Sequence, residues 1–252
     1  MKISIITPTY NSADTIKDTL ESILNQNYKN IEHIIIDGNS SDETKEIIRD
    51  YTNLMSIKFV SEKDDGLYDA MNKGINMATG EIITILNSDD FYKNNDVVEK
   101  IITIFEKNPK IDGVYGDLEI VNRNEKNKII RNWKSGELTD KKINSGWMIP
   151  HPTFFIRKNI YDNLDKKFDL SLKIAADYEF MLRLIKIYNI NCFYLPETIV
   201  SMRDGGKSGI NLSNRIIGWK EIKLAWEKNN LKIPKFLIIQ RLLSKLPQFI
   251  KK

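Results

Sequence analysis

The sequence predicts an α/β fold in which a doubly wound sheet is followed by a helical extension. Three observations predict it: short β-branched apolar runs alternate with helix-period segments through the first half, the pattern changes after Pro109, and strand-like runs end near residue 210. The first strand is Ile3-Ser4-Ile5-Ile6-Thr7, followed by a helical pattern through Ile16, Leu20, Ile23 and Leu24. Strands at 31–36, 57–60 and 82–86 then alternate with helices at 44–51, 67–78 and 97–105. Such alternation argues for βαβ units around a parallel sheet, and right-handed crossovers place the strand ends along one edge. Beyond Pro109, residues 113–121 and 128–133 read as strands around a polar turn. Residues 174–187 read as a helix and Cys192-Phe193-Tyr194-Leu195 as a short strand.

Composition narrows the function. A chain of 252 residues can bury a substantial core, and its one cysteine, Cys192, forbids an internal disulfide and fits a reducing compartment. Cys192 reads as a small buried hydrophobe. The apolar run before Pro8 is too short for a signal-peptide core, and no run reaches transmembrane length, so a cytoplasmic protein is expected. The formal charge of +4 is modest but uneven. From Lys232 onward the cations Lys232, Lys235, Arg241, Lys245, Lys251 and Lys252 occur with no acid, interleaved with residues such as Phe236, Ile239, Leu242 and Leu246. This tail either packs on the domain with its basic face solvated or lies on an anionic membrane, where each cation is worth about 1 kcal/mol. The second reading, peripheral binding at the inner face of the cell membrane, is favoured. Nothing else supports a nucleic-acid partner.

The strand ends are unusually polar. They read Thr7-Pro8-Thr9-Tyr10-Asn11, Asp37-Gly38-Asn39-Ser40-Ser41-Asp42, Ser61-Glu62-Lys63-Asp64-Asp65-Gly66 and Asn87-Ser88-Asp89-Asp90. Singly, each has a structural explanation, with Asn11 and Asp42 as helix N-caps and the glycines as turn residues. Together they line the edge where open α/β sheets bind ligands. Asp37, Asp65 and Asp89 suit hydrogen bonds from an imide N–H or ribose hydroxyls. Asp89 and Asp90 offer hard oxygen ligands for Mg²⁺ or Mn²⁺ carrying a phosphorylated substrate. Neither GxxxxGK[ST] nor GxGxxG occurs, which leaves a metal to hold a pyrophosphate.

The Thr7–Asn11 run, Asp37-Gly38-x-Ser40-x-Asp42, Asp65-Gly66-x-x-x-Ala70-x-Asn72-x-Gly74 and Asn-Ser-Asp-Asp jointly resemble family 2 glycosyltransferases over residues 1 to about 210. With His151-Pro152-Thr153-Phe154-Phe155 and Ala175-Ala176-Asp177-Tyr178, the chain resembles the bacterial branch that builds O-antigen and capsule repeat units. The resemblance implies a GT-A fold, a Rossmann-like doubly wound mixed sheet, over 1–210, with 211–252 as a basic amphipathic helical extension. It further implies an inverting, metal-dependent transfer of a hexose from a nucleotide sugar, expected to be a UDP-sugar, to a glycan acceptor. That acceptor would be a polyprenyl-diphosphate-linked saccharide.

Residue by residue, Thr7, Asp37 and Asp65 fall where the family contacts uracil and ribose, and Pro8, Thr9, Tyr10, Asn87 and Ser88 complete the implied donor-nucleotide site. Asp89 falls on the final carboxylate of the family's DxD signature, with Asp90 beside it as the second candidate ligand for Mn²⁺ or Mg²⁺. Asn87 replaces the first Asp of that signature, keeping an oxygen and losing a charge. Asp177 aligns with the base that deprotonates the acceptor hydroxyl, a role worth about 10²- to 10⁴-fold. A first-turn acid favoured by the helix dipole is its structural alternative, and Glu179 is the neighbouring competitor. His151, Arg203, Lys207 and Ser208 are candidate diphosphate or acceptor contacts, against a structural histidine and a solvated basic loop. His33 reads as packing, while Trp147 and Tyr178 either stack on a sugar or fill the core.

Three other functions compete. A sugar-nucleotide nucleotidyltransferase would want a glycine- and base-rich first loop. A glycoside hydrolase needs two carboxylates but not these strand-end loops. A non-catalytic nucleotide-sugar-binding module would keep the loops and lack turnover.

Overall fold

The structure, a computed structural model, describes residues 1–205 and 212–249. Strands β1 (Ile3–Thr9), β2 (Ile31–Asp37), β3 (Ile57–Ser61) and β4 (Ile82–Ile85) are joined through α1 (Ile16–Leu24), α2 (Thr44–Tyr51) and α3 (Leu67–Met77). They lie in the order β3-β2-β1-β4 and are all parallel. The register pairs Thr9 with Asp37 and Asp37 with Ser61, so three polar strand ends stand side by side.

Every residue of β1 is buried because helices cover both faces of the sheet. Side chains alternate between those faces. Ile6, Ile34 and Ile36 pack with Met71 and Ile75 of α3, while Ile3 and Ile5 pack with residues of α4 (Val97–Lys107) such as Ile101 and Phe105. At Gly74 a Cβ would stand 2.4 Å from Ile6 Cγ2, so only glycine lets α3 lie this close to β1.

The second half makes the sheet mixed. After β5 (Phe91–Tyr92) and α4 come β6 (Gly113–Val121), β7 (Ile129–Trp133), α5 (Asp140–Asn144), a 3-10 turn at His151–Thr153, β8 (Phe155–Arg157), α6 (Lys158–Asp162), α7 (Ala176–Lys186) and β9 (Cys192–Arg203). Strand β8 runs antiparallel to both β4 and β6. Among the described residues nine strands form one sheet, ordered β3-β2-β1-β4-β8-β6-β9-β5 with β7 paired to β6.

The expected short strand at Cys192 is corrected. It runs on to Arg203, pairing in parallel with β6 and ending antiparallel to β5. The register shifts between Tyr115 and Asp117, opposite Leu195-Pro196-Glu197. Pro196 has no N–H for the ladder, and the irregularity lets the strand continue past it. Its significance is positional, since the extension delivers Arg203 beneath the acidic loop.

The carboxyl-terminal segment forms α8 (Leu212–Lys228), α9 (Leu237–Leu243) and a 3-10 turn at Leu246–Phe249. Ile222, Ala225, Trp226 and Leu237 join the same hydrophobic cluster as α7. Among the described residues no helix is long and apolar enough to cross a membrane.

Candidate active site

The loop after β2 is tied down by its own acid. Asp37 is fully buried; it accepts from Ser40 N at 3.0 Å and from Ser61 Oγ at 2.6 Å, and the Ser40 hydroxyl also donates to it. Thr7 is likewise buried, its hydroxyl 2.9 Å from His33 Nε2. Complete burial pushes His33 down to about 3, so the ring is neutral, in keeping with packing. Pro8 and Thr9 are buried, Thr9 Oγ1 without a partner, while Tyr10 is 63 % exposed at the rim.

Asn11 is not an N-cap. It takes φ 47°, and its side-chain oxygen accepts from Ser41 N at 2.9 Å, tying the first loop to the second. Asp42 is not the cap residue of α2 either, that position being Glu43; its carboxylate accepts from Thr44 N at 3.1 Å and from Ala13 N at 3.1 Å, so it ties the helix start to the first loop.

In the third loop the structure brings Asp64, rather than Asp65, to the second loop. A Cβ on Gly38 would stand 2.7 Å from Asp64 Oδ2, and Gly66 N donates to Asp64 Oδ1 at 2.9 Å. Asp65 is exposed, and its backbone N–H bonds Asp69. The tandem acids left that choice invisible in sequence.

The acidic loop is braced from two sides. Thr19 of α1 donates to the Asp90 carbonyl at 2.7 Å, and Arg203 Nη1 donates to the Asp89 carbonyl at 2.8 Å. Arg203 is itself buried, bonded to Asp18 and lying over Phe91, 5.1 Å from the ring centroid. It therefore supports the loop from behind. Ser88 shares a hydrogen bond with Ser12, 2.8 Å between hydroxyls. Lys207 and Ser208, two further residues of that expected contact set, lie outside the described residues.

Asp89 and Asp90 differ sharply. The Asp89 side chain is 27 % exposed, with Arg123 Nη1 3.5 Å away. Asp90 is buried, its Oδ2 accepting from Asn87 Nδ2 at 3.0 Å. Burial first, and the Asp89 charge second, push the Asp90 carboxyl well above the usual range. Asn87 Oδ1 and Asp90 Oδ1 are buried without partners.

Among the described residues no three His, Cys, Asp or Glu side chains form a self-contained metal cage. A hard divalent cation on a diphosphate does not require one; it takes one or two carboxylates and completes its shell from phosphate and water. An accessible Asp89 beside orphaned buried oxygens fits that demand.

Asp177 sits in the first turn of α7, half-buried, with Oδ1 3.1 Å from the Tyr68 hydroxyl. Tyr68 also donates to the Ile174 carbonyl at 2.9 Å. Burial and the Asp177 charge hold the Tyr68 phenol well above its usual pKa, so it remains a donor. Half-buried His151 lies edge-on to Phe168; desolvation lowers its pKa while Asp177 opposes the shift. Glu179 is committed elsewhere: it is buried, bonded to Arg183 Nε at 2.9 Å and to Asn229 at 3.0 Å. Trp147 and Tyr178 are buried in the core.

One supporting residue gave no functional signal in sequence. Glu221, on α8, accepts from the N–H groups of Lys173, Ile174 and Ala175 at 2.9, 2.8 and 2.9 Å, fixing the segment that leads into Asp177.

Parallel β1–β4 with acids at their carboxyl edge, continued through antiparallel β8, define the GT-A class of α/β fold. Residues 4–165 match the family model described as glycosyl transferase family 2. The chain belongs to that family and is a glycosyltransferase. It is 27 % identical over 222 residues to a PGL/p-HBAD biosynthesis glycosyltransferase of Mycobacterium tuberculosis, covering 87 % of this chain and 82 % of the relative. Among solved structures, S. aureus TarS 1-349 in complex with UDP-GlcNAc superposes with TM-score 0.72 at 18 % identity, over 96 % of this chain and 73 % of that one. The mannosyltransferase PcManGT of Pyrobaculum calidifontis, in complex with GDP-Man and Mn²⁺, gives TM-score 0.67 at 19 % identity, over 96 % and 69 %.

Proposed function

We propose that the protein transfers a hexose from a UDP-sugar to a lipid-linked saccharide with inversion at the anomeric carbon. The observation that carries this reading is the Tyr68–Asp177 hydrogen bond, 3.1 Å long across 109 residues of sequence. Tyr68 lies in the helix that follows the Asp64–Gly66 loop, so the bond couples the nucleotide side of the site to the candidate base. The UDP-GlcNAc and GDP-Man complexes of the structural neighbours support a nucleotide-sugar donor.

In this reading the polar ends of β1–β3 hold the nucleotide, with Thr7, Asp37 and Asp64 at its base and ribose. Asp89, with Asp90 behind it, would hold Mn²⁺ or Mg²⁺ on the diphosphate, where the cation supplies Lewis-acid stabilisation of the departing nucleotide. Asp177 accepts the proton of the acceptor hydroxyl as that oxygen attacks the anomeric carbon. His151 and Tyr68 border the base and set its surroundings. Exposed apolar residues on the basic tail support a reading in which the enzyme works at the cytoplasmic face of a membrane, beside a lipid-linked acceptor.

A donor screen recording UDP release with and without Mn²⁺ tests the proposal. Asp177→Asn is expected to lower transfer by about 10²- to 10⁴-fold while leaving donor affinity intact. Near-normal turnover in that variant would remove Asp177 from the role. UDP binding without any transfer would instead make the protein a binding module.

A further inference from the structure

The turn between β6 and β7 reaches the acidic loop and is held in a fixed shape. Asn122 Oδ1 accepts from Asn124 N and Glu125 N, both at 3.0 Å, and Asn122 N donates to the Lys128 carbonyl at 2.9 Å. Its base is pinned to the end of β9. Asp204 N donates to the Val121 carbonyl at 3.0 Å, and the Asp204 carboxylate takes Arg123 N at 2.7 Å. Its tip is pinned to α1, where Lys126 Nζ donates to Asp18 Oδ1 at 2.8 Å. Asp18 also binds Arg203, whose other arm holds the Asp89 carbonyl. The backbone of Arg123 is thus anchored on both sides, beside the accessible carboxylate of the acidic loop.

The Arg123 side chain is held far less firmly. It is 48 % exposed, and its Nη1 stands 3.5 Å from Asp89 Oδ2, too long for a good hydrogen bond. Exposed pairs of this kind are weak, and one distant oxygen uses little of a guanidinium's five donors. Lys126 and Arg203 pair instead with Asp18, which is not part of the acidic loop. Arg203 is moreover only 4 % exposed. Arg123 is therefore the cation at this edge that can change partners. Asp89 is also the carboxylate placed to meet a divalent cation. Two cations at a few ångströms repel by more than an exposed ion pair returns, unless an anion joins them. A nucleoside diphosphate is such an anion, and the guanidinium fork matches its phosphate oxygens.

We propose that Arg123 holds the Asp89 carboxylate before the donor binds and passes to the diphosphate when nucleotide and divalent cation arrive. The exchange needs only side-chain torsions, because the backbone stays tied to Asp204. It makes the bare cation a poorer ligand than the cation that comes with a nucleotide. The proposal rests on the nucleotide-sugar reading above and adds a residue of the β6–β7 turn to that site.

The test uses the full chain and the variants Arg123→Gln and Arg123→Lys. Mn²⁺ alone, followed by the electron paramagnetic resonance of the free ion, binds Arg123→Gln about two- to fivefold more tightly than the wild type, because the competing ion pair is gone. UDP with Mn²⁺, followed by calorimetry, binds the same variant about tenfold more weakly. Uridine, which carries no phosphate, binds both forms alike in NMR titrations. Arg123→Lys keeps the charge without the fork, so it matches the wild type towards Mn²⁺ alone and falls between the two towards UDP. A residue that only braced the turn would weaken both ligands, and a surface pair without a role would change neither. The proposal is overturned if Arg123→Gln does not bind Mn²⁺ more tightly, if its UDP affinity is unchanged, or if uridine weakens as much as UDP. Wild-type UDP binding is measured first: its absence defeats the donor reading and the exchange with it, whereas UDP binding indifferent to Arg123 defeats the exchange alone.

Discussion

Glu221→Gln isolates the hold that α8 exerts on the candidate base. The carboxylate is 9 % exposed and takes three backbone N–H groups, Lys173 on Oε1 and Ile174 and Ala175 on Oε2. The N-cap of α7, Ala175, has no side-chain cap of its own, so these bonds stand in for one. Glutamine keeps the shape and one acceptor oxygen. That oxygen can serve Ile174 and Ala175, but its NH₂ then faces the Lys173 N–H, donor against donor. One bond is lost, one amide is left unmet and two bonds lose their charge assistance, together about 2–3 kcal/mol. For a chain of this size that corresponds to a melting point lower by roughly 5–10 °C. The segment being released also carries Ile174, whose carbonyl takes the Tyr68 hydroxyl, so Asp177 loses its register with Tyr68. A displacement near 1 Å can cost about 10²-fold in rate. Thermal melts and UDP-release kinetics at saturating acceptor read both effects: kcat falls about 10- to 100-fold while donor KM changes little. A Gln variant that melts with the wild type and keeps its kcat would refute the argument.

Three further expectations come from the same geometry. Because the folded pKa of Asp90 is raised above its unfolded value of about 3.9, its burial costs stability increasingly as pH rises from about 4 through the folded pKa. Asp90→Asn should therefore melt above the wild type at pH 7 and converge with it near pH 4; a lower melting point at pH 7 would contradict this. Arg203→Lys keeps a charge but not the fork that reaches both the Asp89 carbonyl and Asp18, so calorimetry should show weaker UDP–Mn²⁺ binding, and unchanged affinity would exclude the brace. Ile239→Ser, Leu243→Ser and Leu246→Ser combined alter exposed side chains and spare buried Leu237; the triple variant should pellet less with phosphatidylglycerol vesicles, and equal pelleting would remove the membrane role from this face.

The first half of the fold was legible because its signals are local. Each of β1, β2 and β4 is a short β-branched run buried almost throughout, and each ends in a polar loop. Register then aligns those loops without further information. What sequence could not reach was tertiary, and the expectation for the third loop fell on Asp65. Asp64 and Asp65 are adjacent acids, and the choice between them depends on the gap above Gly38, which belongs to another loop. Arg203 reads as part of a basic loop until β9 is known to continue past Pro196. Glu221 did leave a trace, since Gly218, Glu221, Ile222, Ala225 and Trp226 follow the helical period of a buried stripe. An acid on such a stripe needs partners, but nothing local says that they are the amides before Asp177.

The departure at Asn87 and the extra acid at Asp90 are best understood together. Asn87 Nδ2 donates to Asp90 Oδ2 at 3.0 Å, a bond that an ionised aspartate at 87 could not supply. Two carboxylates at those positions would add a like charge beside a group whose ionisation burial already opposes. An asparagine at 87 is therefore what a buried acid at 90 permits. The pair also explains why Asp89 alone is accessible: its neighbour's carboxyl is turned inward, while Thr19 and Arg203 hold the backbone on either side of it. Charge lost at the first position of the signature is thus accompanied by a second acid behind the third. The inner acid fixes the loop, and the outer one stays on its accessible side, with Arg123 3.5 Å away.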